Sequence, residues 1–429
     1  MLHQKTIIID DDPTGCQTVH GVIVLLAWTR DSLRKALNNS DVVFLVTNSR
    51  SLSEKDAIAV NKEIIALIKS ISGEFIIRII SRGDSTLRGH FFAETKAILD
   101  ECPDINGVVF CPFFYEGGRI TKNNIHYVVT NGIAQAAHET EFSRDPDFPF
   151  NTSDLPGYVI EKSHGYWKED DILTVDLELL RNQGVYAVFQ LLNDIQGKQV
   201  IIVNAENYHD LEVFSEAALQ AEKAGKKFLY RSAASLVKAI TGIQSIPFYK
   251  PPIPFSKGLV IAGSFVNKTT EQLQYLIQQM KIEPVVIYIE RIVSNYENYQ
   301  QEITAEIERR LSLGEIPVVF TQRNFERDPN STQSTNSPAR ISDFLCGVVS
   351  SIKIPLEFII AKGGITSFDI AKNGLRVKSA RVMGQVIKGV PVWEMDTDLS
   401  DHLIFIVFPG NVGNNESLYE VVTNLTSTK

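Results

Sequence analysis

Short apolar runs alternate with amphipathic stretches along most of this chain. Runs rich in β-branched residues at 6–9, 22–26, 42–46, 75–80 and 108–111 predict buried strands. Between them, residues 53–71 put Ile58, Ile64, Ile65 and Ile68 at helical spacing, with Ser53 placed to cap the N-terminus. Residues 200–203, a helical pattern near 211–224 and a run at 228–230 predict one more turn of the same alternation. The rhythm restarts at 258–262, 285–289, 318–321, 358–361 and 404–408, with helical patterns at 268–280, 300–311 and 341–352 between these strands. Alternation of this kind predicts mainly parallel sheets covered by helices. The expected class is therefore α/β: two α/β domains, each a mainly parallel sheet flanked by helices, with a cleft between them.

The boundary is marked by Pro247-Phe-Tyr-Lys-Pro-Pro-Ile-Pro254, where four prolines in eight residues continue neither regular element. It divides the chain into residues 1–246, a Pro-rich linker at 247–257, and residues 258–429. A length of 429 residues exceeds what one hydrophobic core usually serves, which agrees with two domains. Residues 140–168, rich in Asp, Pro and aromatics, predict an ordered excursion from the first domain; the polar stretch 323–338 predicts a surface loop.

Composition narrows the function classes. Hydrophobic residues at 44% and charged residues at 22% are those of an ordinary globular protein. A net charge of −9 argues against a nucleic-acid partner. No apolar run reaches the roughly 18 residues of a membrane span, and the N-terminus lacks the pattern of a signal peptide. Cys16, Cys102, Cys111 and Cys346 are scattered, as expected of reduced thiols in a cytoplasm. The histidines lack the spacing of a coordinating pair, so no metal ligands are assigned.

The chemistry-bearing residues gather after predicted strands, where ligands collect in parallel α/β sheets. The first strand runs into Asp10-Asp11-Asp12-Pro-Thr14-Gly15. Three adjacent carboxylates repel one another and serve no folding purpose beyond a cap at Asp12 or Thr14. Asn48-Ser-Arg50 follows the third strand, Ser81-Arg82-Gly-Asp84-Ser85-Thr86-Leu-Arg88-Gly89 the fourth, and Gly117-Gly118-Arg119 lies beyond the fifth. Arg50, Arg82, Arg88 and Arg119 would thus meet Asp11, Asp12 and Asp84 at one sheet edge. Guanidinium groups grip carboxylates or phosphates through paired hydrogen bonds, and hydroxyl and carboxylate neighbours such as Ser85 suit a polyhydroxylated acid. In the second half, Gly263-Ser264, Lys362-Gly363-Gly364-Ile365-Thr366-Ser367 and Pro409-Gly410-Asn411-Val412-Gly413 each follow a strand. Glycine lets backbone N–H groups approach phosphate oxygens. None of these is a Walker A or Rossmann fingerprint, so the motifs by themselves point to a phosphate-bearing ligand and no further.

Taken in order, the motifs resemble the four-carbon acid sugar kinase family over nearly the whole chain. The first half carries Asp11-Asp12-Pro-Thr14-Gly15, Asn48-Ser-Arg50, Asp84-Ser85-Thr86-Leu-Arg88-Gly89, Gly118-Arg119-Ile-Thr121 and Glu139-Thr-Glu-Phe-Ser-Arg-Asp145-Pro. The second carries Gly263-Ser264, Lys362-Gly363-Gly364-Ile-Thr366-Ser367, Gly384-Gln385 with Gly389-Val-Pro391, and Pro409-Gly410-Asn-Val-Gly413. The resemblance implies an N-terminal sugar-acid-binding domain, a C-terminal ATP-binding domain, and phosphorylation of a terminal hydroxyl on a tetronate or 3-oxo-tetronate. It places Ser264, Gly363, Gly364, Ile365, Thr366 and Gly410 against ATP, with Asn411 and Gly413 in the same loop, and Mg²⁺ bridging the phosphates. Two positions depart from the pattern: Ile365 stands where many members carry an acidic residue, and Asn124 replaces a glycine often found before the His-Tyr pair. A homodimer is the assembly state left open.

Within this reading Arg50, Arg82, Arg88, Arg119, Asp84 and Ser85 are the acceptor-binding candidates, with Arg88 and Arg50 foremost for the carboxylate. Asp12, then Asp11, then Asp84 are the candidates for the base, and Asp10 is structural. Two rivals remain. Asp10-Asp11-Asp12-Pro-Thr14 also fits the Asp-x-Asp-x-Thr of haloacid-dehalogenase-type phosphatases, although Asp170-Asp171, the adjacent acidic pair available later, follows no apolar strand. A sugar-acid sensor that binds without catalysis is the other.

Overall fold

A computed structural model describes residues 4–263, 266–322 and 338–427. The chain forms two compact units, Met1–Ser245 and Ile246–Lys429. Among the described residues no helix is long and apolar enough to cross a membrane.

The first unit contains strands β1 (Gln4–Asp10), β2 (Ile23–Leu25), β3 (Val42–Val46), β4 (Ile76–Arg82), β5 (Gly107–Cys111), β6 (Arg119–Lys122), β7 (Ile125–Thr130), β8 (Ile133–Ala136), β9 (Ile172–Val175), β10 (Gln199–Val203) and β11 (Phe228–Ser232). Its main sheet runs β2-β3-β1-β4-β11-β5-β10-β9 with every pairing parallel. The strands β1, β3 and β5 are buried almost end to end, because helices cover both faces of a parallel sheet. Helix Glu54–Lys69 begins at Ser53, whose hydroxyl accepts from Asp56 N at 3.2 Å, and buries Ile64, Ile65 and Ile68 against the sheet core.

The second unit adds β12 (Gly258–Ala262), β13 (Val285–Ile287), β14 (Val318–Thr321), β15 (Phe358–Lys362), β16 (Ser379–Ile387), β17 (Val390–Met395) and β18 (Leu403–Phe408). Their order is β13-β14-β12-β15-β18-β17-β16, parallel through β18 and antiparallel for the hairpin β16–β17 and its pairing with β18. Helices Asn267–Met280 and Ser417–Thr426 bury Leu273, Leu276, Leu418 and Val422 against its core. The proline-rich stretch packs on this unit: Tyr249 N donates to Gln385 O at 2.7 Å, and the Phe255 ring stacks on Phe358 at 5.8 Å.

The expected α/β class with two domains is what the chain adopts. Two antiparallel pieces were not expected. The ribbon β6–β7–β8 turns at Asn123-Asn124 and Asn131-Gly132, all four in the left-handed region that two-residue hairpin turns require. The hairpin β16–β17 turns at Lys388-Gly389. The stretch at 323–337 lies outside the described residues.

Candidate active site

Register aligns the tips of the central strands of the first unit. Val46, Asp10, Arg82, Ser232 and Cys111 share one rung across β3-β1-β4-β11-β5. The loops leaving β3, β1 and β4 are therefore delivered to a single edge, at the point where the strand order runs outward in both directions from β1.

Asp10 ends β1 fully buried. A Cβ at Gly15 would stand 2.0 Å from its carboxylate, so glycine there lets the turn close over it. Its Oδ2 has no hydrogen-bond partner, and burial, reinforced by Asp11 and Asp12 against the pull of Arg82, raises its pKa to about 8. The leading acid of the Asp-x-Asp-x-Thr motif is thus sealed away from any phosphoester.

Asp11 and Asp12 face Arg50. The guanidinium donates to Asp11 from Nη2 at 2.9 Å and from Nε at 3.3 Å, and its Nη1 stands 3.4 Å from Asp12 Oδ2 and 3.9 Å from Asp84 Oδ2. Arg82 approaches Asp11 Oδ1 at 3.1 Å and Asp10 Oδ1 at 3.5 Å from beneath. Burial works against charge on Asp12, but Arg50, Arg82 and the Thr14 hydrogen bonds outweigh it and hold its carboxyl below the usual range. Asp12 also caps the turn Pro13–Cys16 by accepting from Thr14 N at 2.7 Å. The capping and the catalytic readings of this residue are compatible, since one oxygen serves the turn and the other faces Arg50.

Asp84 opens a tight turn whose Leu87 is held at φ 67°, an uncommon conformation for leucine, with its carbonyl accepting from Tyr158 Oη at 2.8 Å. Asp84 accepts from Arg88 Nε at 2.8 Å and from the Thr86 hydroxyl; against the cost of burial, Arg88 and Arg50 keep it ionised far below the usual carboxylate range. Arg88 reaches on to Asp145 at 3.4 Å. Ser85 is buried, and its carbonyl lies 2.8 Å from His126 Nε2 while Nδ1 lies 2.9 Å from Thr121 Oγ1. Burial lowers the His126 pKa to about 4, so that ring is neutral and structural.

Arg119 differs from the other three arginines. It forms no ion pair among the described residues, its Nε is buried without a partner, and its Nη1 donates to Gly117 O. Burial, with Arg88 nearby, pulls its pKa down and outweighs the opposing influence of Asp84 and Glu141. Arg88 and Arg119 lie over the same Phe142 ring, at 5.1 and 5.9 Å from its centroid.

Several contributors had no role assigned from the motifs. Glu94 and Arg231 form a buried pair at 2.6 Å, with Arg231 also donating to Ser81 Oγ at 2.7 Å and Glu94 accepting from the Ser49 hydroxyl. The guanidinium fills the space where a side chain at Gly83 would stand, 2.8 Å from an added Cβ, and so backs the Asp84 turn. Phe142 and Asp145 belong to the Glu139–Asp145 string, whose clustering of acids and an aromatic was the available signal.

In the second unit a rung joins Phe320, Ala262, Lys362 and Phe408, so the loops beginning at Gly263, Gly363 and Pro409 leave adjacent strands together. A Cβ at Gly263 would stand 2.7 Å from the Thr366 hydroxyl, which ties the first two loops. Gly363 takes φ 113°, its N–H donates to Phe408 O at 2.8 Å, and Ser367 Oγ donates to Gly363 O at 2.7 Å. Thr269 Oγ1 donates to Gly410 O at 3.3 Å, and Gln272 donates to Val412 O and Asn414 O at 3.0 and 2.8 Å. Gly364, Thr366, Asn411 and Gly413 lie in these loops, and Ile365 is 54% exposed. Ser264 lies outside the described residues.

Residues 6–240 match the family described as sugar-binding N-terminal domain, and residues 259–418 that described as nucleotide-binding C-terminal domain. The chain is 27% identical over 292 residues to the D-erythronate kinase of Heliobacterium modesticaldum, a match spanning 63% of this chain and 60% of that protein. It is 30% identical over 158 residues to the D-threonate kinase of Bordetella bronchiseptica, spanning 35% and 37%. Solved structures from Salmonella typhimurium LT2 and Haemophilus influenzae share the fold, with TM-scores of 0.71 and 0.66, identities of 16% and 17%, and coverage of 97% of this chain and 98% of each of theirs.

Proposed function

The chain belongs to the four-carbon acid sugar kinase family, and on that premise we propose that it transfers the γ-phosphoryl group of ATP to a terminal hydroxyl of a tetronate or 3-oxo-tetronate. The observation that carries the reading is Arg119: a largely buried guanidinium with no ion pair among the described residues, against the Phe142 ring and near Asp84 and Arg88. Arg50, Arg82 and Arg88 already hold aspartates, whereas Arg119, with no ion pair among the described residues, offers its positive charge to an incoming carboxylate. Arg50, Arg82 and Arg88 then fix Asp11, Asp12 and Asp84 as acceptors for the hydroxyl groups of the acid, and Ser85 shapes the floor beneath them.

In the transfer, the acceptor oxygen forms a bond to the γ-phosphorus while the bond from that phosphorus to the bridging oxygen of ADP breaks. The hydroxyl proton passes to Asp12, ionised at neutral pH and the most accessible of the three N-terminal acids, with 13% of its side chain exposed against 2% for Asp11. In this reading ATP belongs to the second unit, where Gly363, Gly364, Ile365, Thr366, Gly410, Asn411 and Gly413 lie in the loops, and Ser264, outside the described residues, is the remaining candidate. Those loops suit phosphate oxygens, since close backbone approach needs positions such as Gly363 without a side chain. Among the described residues no group of three or more His, Cys, Asp or Glu is placed to hold a metal ion. Mg²⁺ brought by the nucleotide would supply charge neutralisation at the phosphates.

The test is ADP release from ATP and Mg²⁺ across a panel of four-carbon acids that includes D-erythronate and D-threonate. ADP formation that depends on one of these acids is the expected result. Phosphate release from phosphoesters without ATP, or binding of an acid with no turnover, would replace this reading with the hydrolase or the sensor.

A further inference from the structure

Lys362 is buried completely at the end of β15, although lysine is among the residues least often buried. Its neighbours on the rung are Ala262 and Phe408, so its ammonium sits where the three glycine-bearing loops begin. Nζ donates to Pro409 O at 2.5 Å, lies 3.4 Å from Gly410 O, and stands 3.9 Å over the Phe408 ring. Two successive carbonyls of the last loop are therefore turned inward to one cation.

Peptide geometry fixes the orientation of the neighbouring donors. In a trans peptide the C=O of one residue and the N–H of the next point in opposite directions, and the chain has no cis peptide bonds among its described residues. Drawing Pro409 O and Gly410 O inward turns the N–H groups of Gly410 and Asn411 outward. Among the described residues neither donates to a backbone carbonyl. Gln272 and Thr269 hold carbonyls of the same loop from the flanking helix, so the arrangement is braced from two sides.

We propose that Lys362 is a positioning residue for the phosphoryl donor: its buried ammonium sets the Pro409–Gly410 and Gly410–Asn411 peptides so that two N–H groups face the phosphates of ATP. The proposal rests on the nucleotide-binding reading of this unit. Lysine serves because a compact ammonium carries three donors and gathers carbonyls from more than one peptide.

The experiment compares wild type with Lys362→Met, which keeps the stem and removes the donors, and with Gln272→Met, which frees the same loop from the other side. Calorimetric titration with Mg·ATP and steady-state kinetics with the accepted acid are the readouts, after a thermal melt shows each variant folded. Loss of a charged hydrogen-bond donor predicts an ATP Kd and KM raised about tenfold or more for Lys362→Met, with the KM of the acid within about twofold of wild type. Gln272→Met should move the same constants in the same direction by less. A folded Lys362→Met that binds ATP as wild type does, or one whose two KM values rise together, overturns the proposal. Should Lys362→Met fail to fold, unchanged ATP affinity in Gln272→Met overturns it and a selective rise supports it. Wild type that binds no ATP overturns the nucleotide-binding reading itself, a result distinct from any difference among variants.

Discussion

In the proposed reading, the two units hold an anion by opposite means. The first uses charged side chains: Arg50, Arg82 and Arg88 are spent on aspartates, and Arg119 remains. The second uses backbone: Gly363 and Gly413 take positive φ, and the buried Lys362 ammonium works from behind the last loop. A side-chain site discriminates by charge and shape at particular atoms, which suits a small acid with several hydroxyl groups. A backbone site recognises the phosphates common to every nucleotide. The contrast predicts that conservative side-chain changes will be severe in the first unit and mild on the rims of the glycine loops.

The sharpest test of the side-chain half is Asp12→Asn, which changes one atom's chemistry and no volume. Turnover should fall about 100- to 10,000-fold, with both substrates still bound, as read by ADP release and calorimetry. If it stays near wild type while Asp84→Asn loses it, the base is Asp84. Next in size is Arg231→Met, which strands the Glu94 carboxylate in the core. Urea denaturation should show a loss of about 3–5 kcal/mol, and an unchanged midpoint would mean that the pair does not hold the turn at Gly83. Arg119→Met follows. Loss of a charge-assisted contact to a desolvated anion is worth about 2–5 kcal/mol, so the KM for the acid should rise steeply while that for ATP stays fixed. Equal rises would assign Arg119 to structure and erase the contrast between the units.

A further test, read as a slope against pH, concerns Asp10. With its carboxyl lifted to about 8 by burial, the folded chain keeps a proton that the unfolded chain releases near pH 4. This contribution is fully present below the unfolded value and is lost as pH rises towards about 8. The slope is at most about 1.4 kcal/mol per pH unit for one proton. Asp10→Asn should flatten stability measured between pH 5 and 8, and an unaltered slope would show that another group titrates there.

Legibility in the sequence follows the same division. Asp11, Asp12, Arg50, Asp84 and Arg88 announce themselves because polar residues stand immediately after apolar strands, and parallel register does the rest. Phe142, Asp145 and Arg231 reach the site from a long excursion and from a strand more than a hundred residues later; no local pattern links them to β1. That Arg119 has no ion-pair partner among the described residues also needed coordinates, since spacing alone shows four equivalent arginines. The ribbon β6–β8 was readable in principle, for Asn123-Asn124 and Asn131-Gly132 are hairpin signals set between short alternating runs. In the sequence Lys362 reads only as part of a glycine motif; its burial, and the carbonyls it gathers, are matters of register with β18.

The place of β11 sets the order of assembly. This strand lies between β4 and β5, yet the chain reaches Phe228–Ser232 only after the five strands β6 to β10 have been made. A nascent chain can pair β1, β3 and β4 early, but Glu94 waits for Arg231 throughout that interval with its charge uncompensated. At translation rates of about 5–20 residues per second, the first unit's central sheet cannot close until roughly 10–50 s after initiation. Until then β4 and β5 present open edges to solvent or to a chaperone, which makes this unit's most exposed moment a stage of its synthesis.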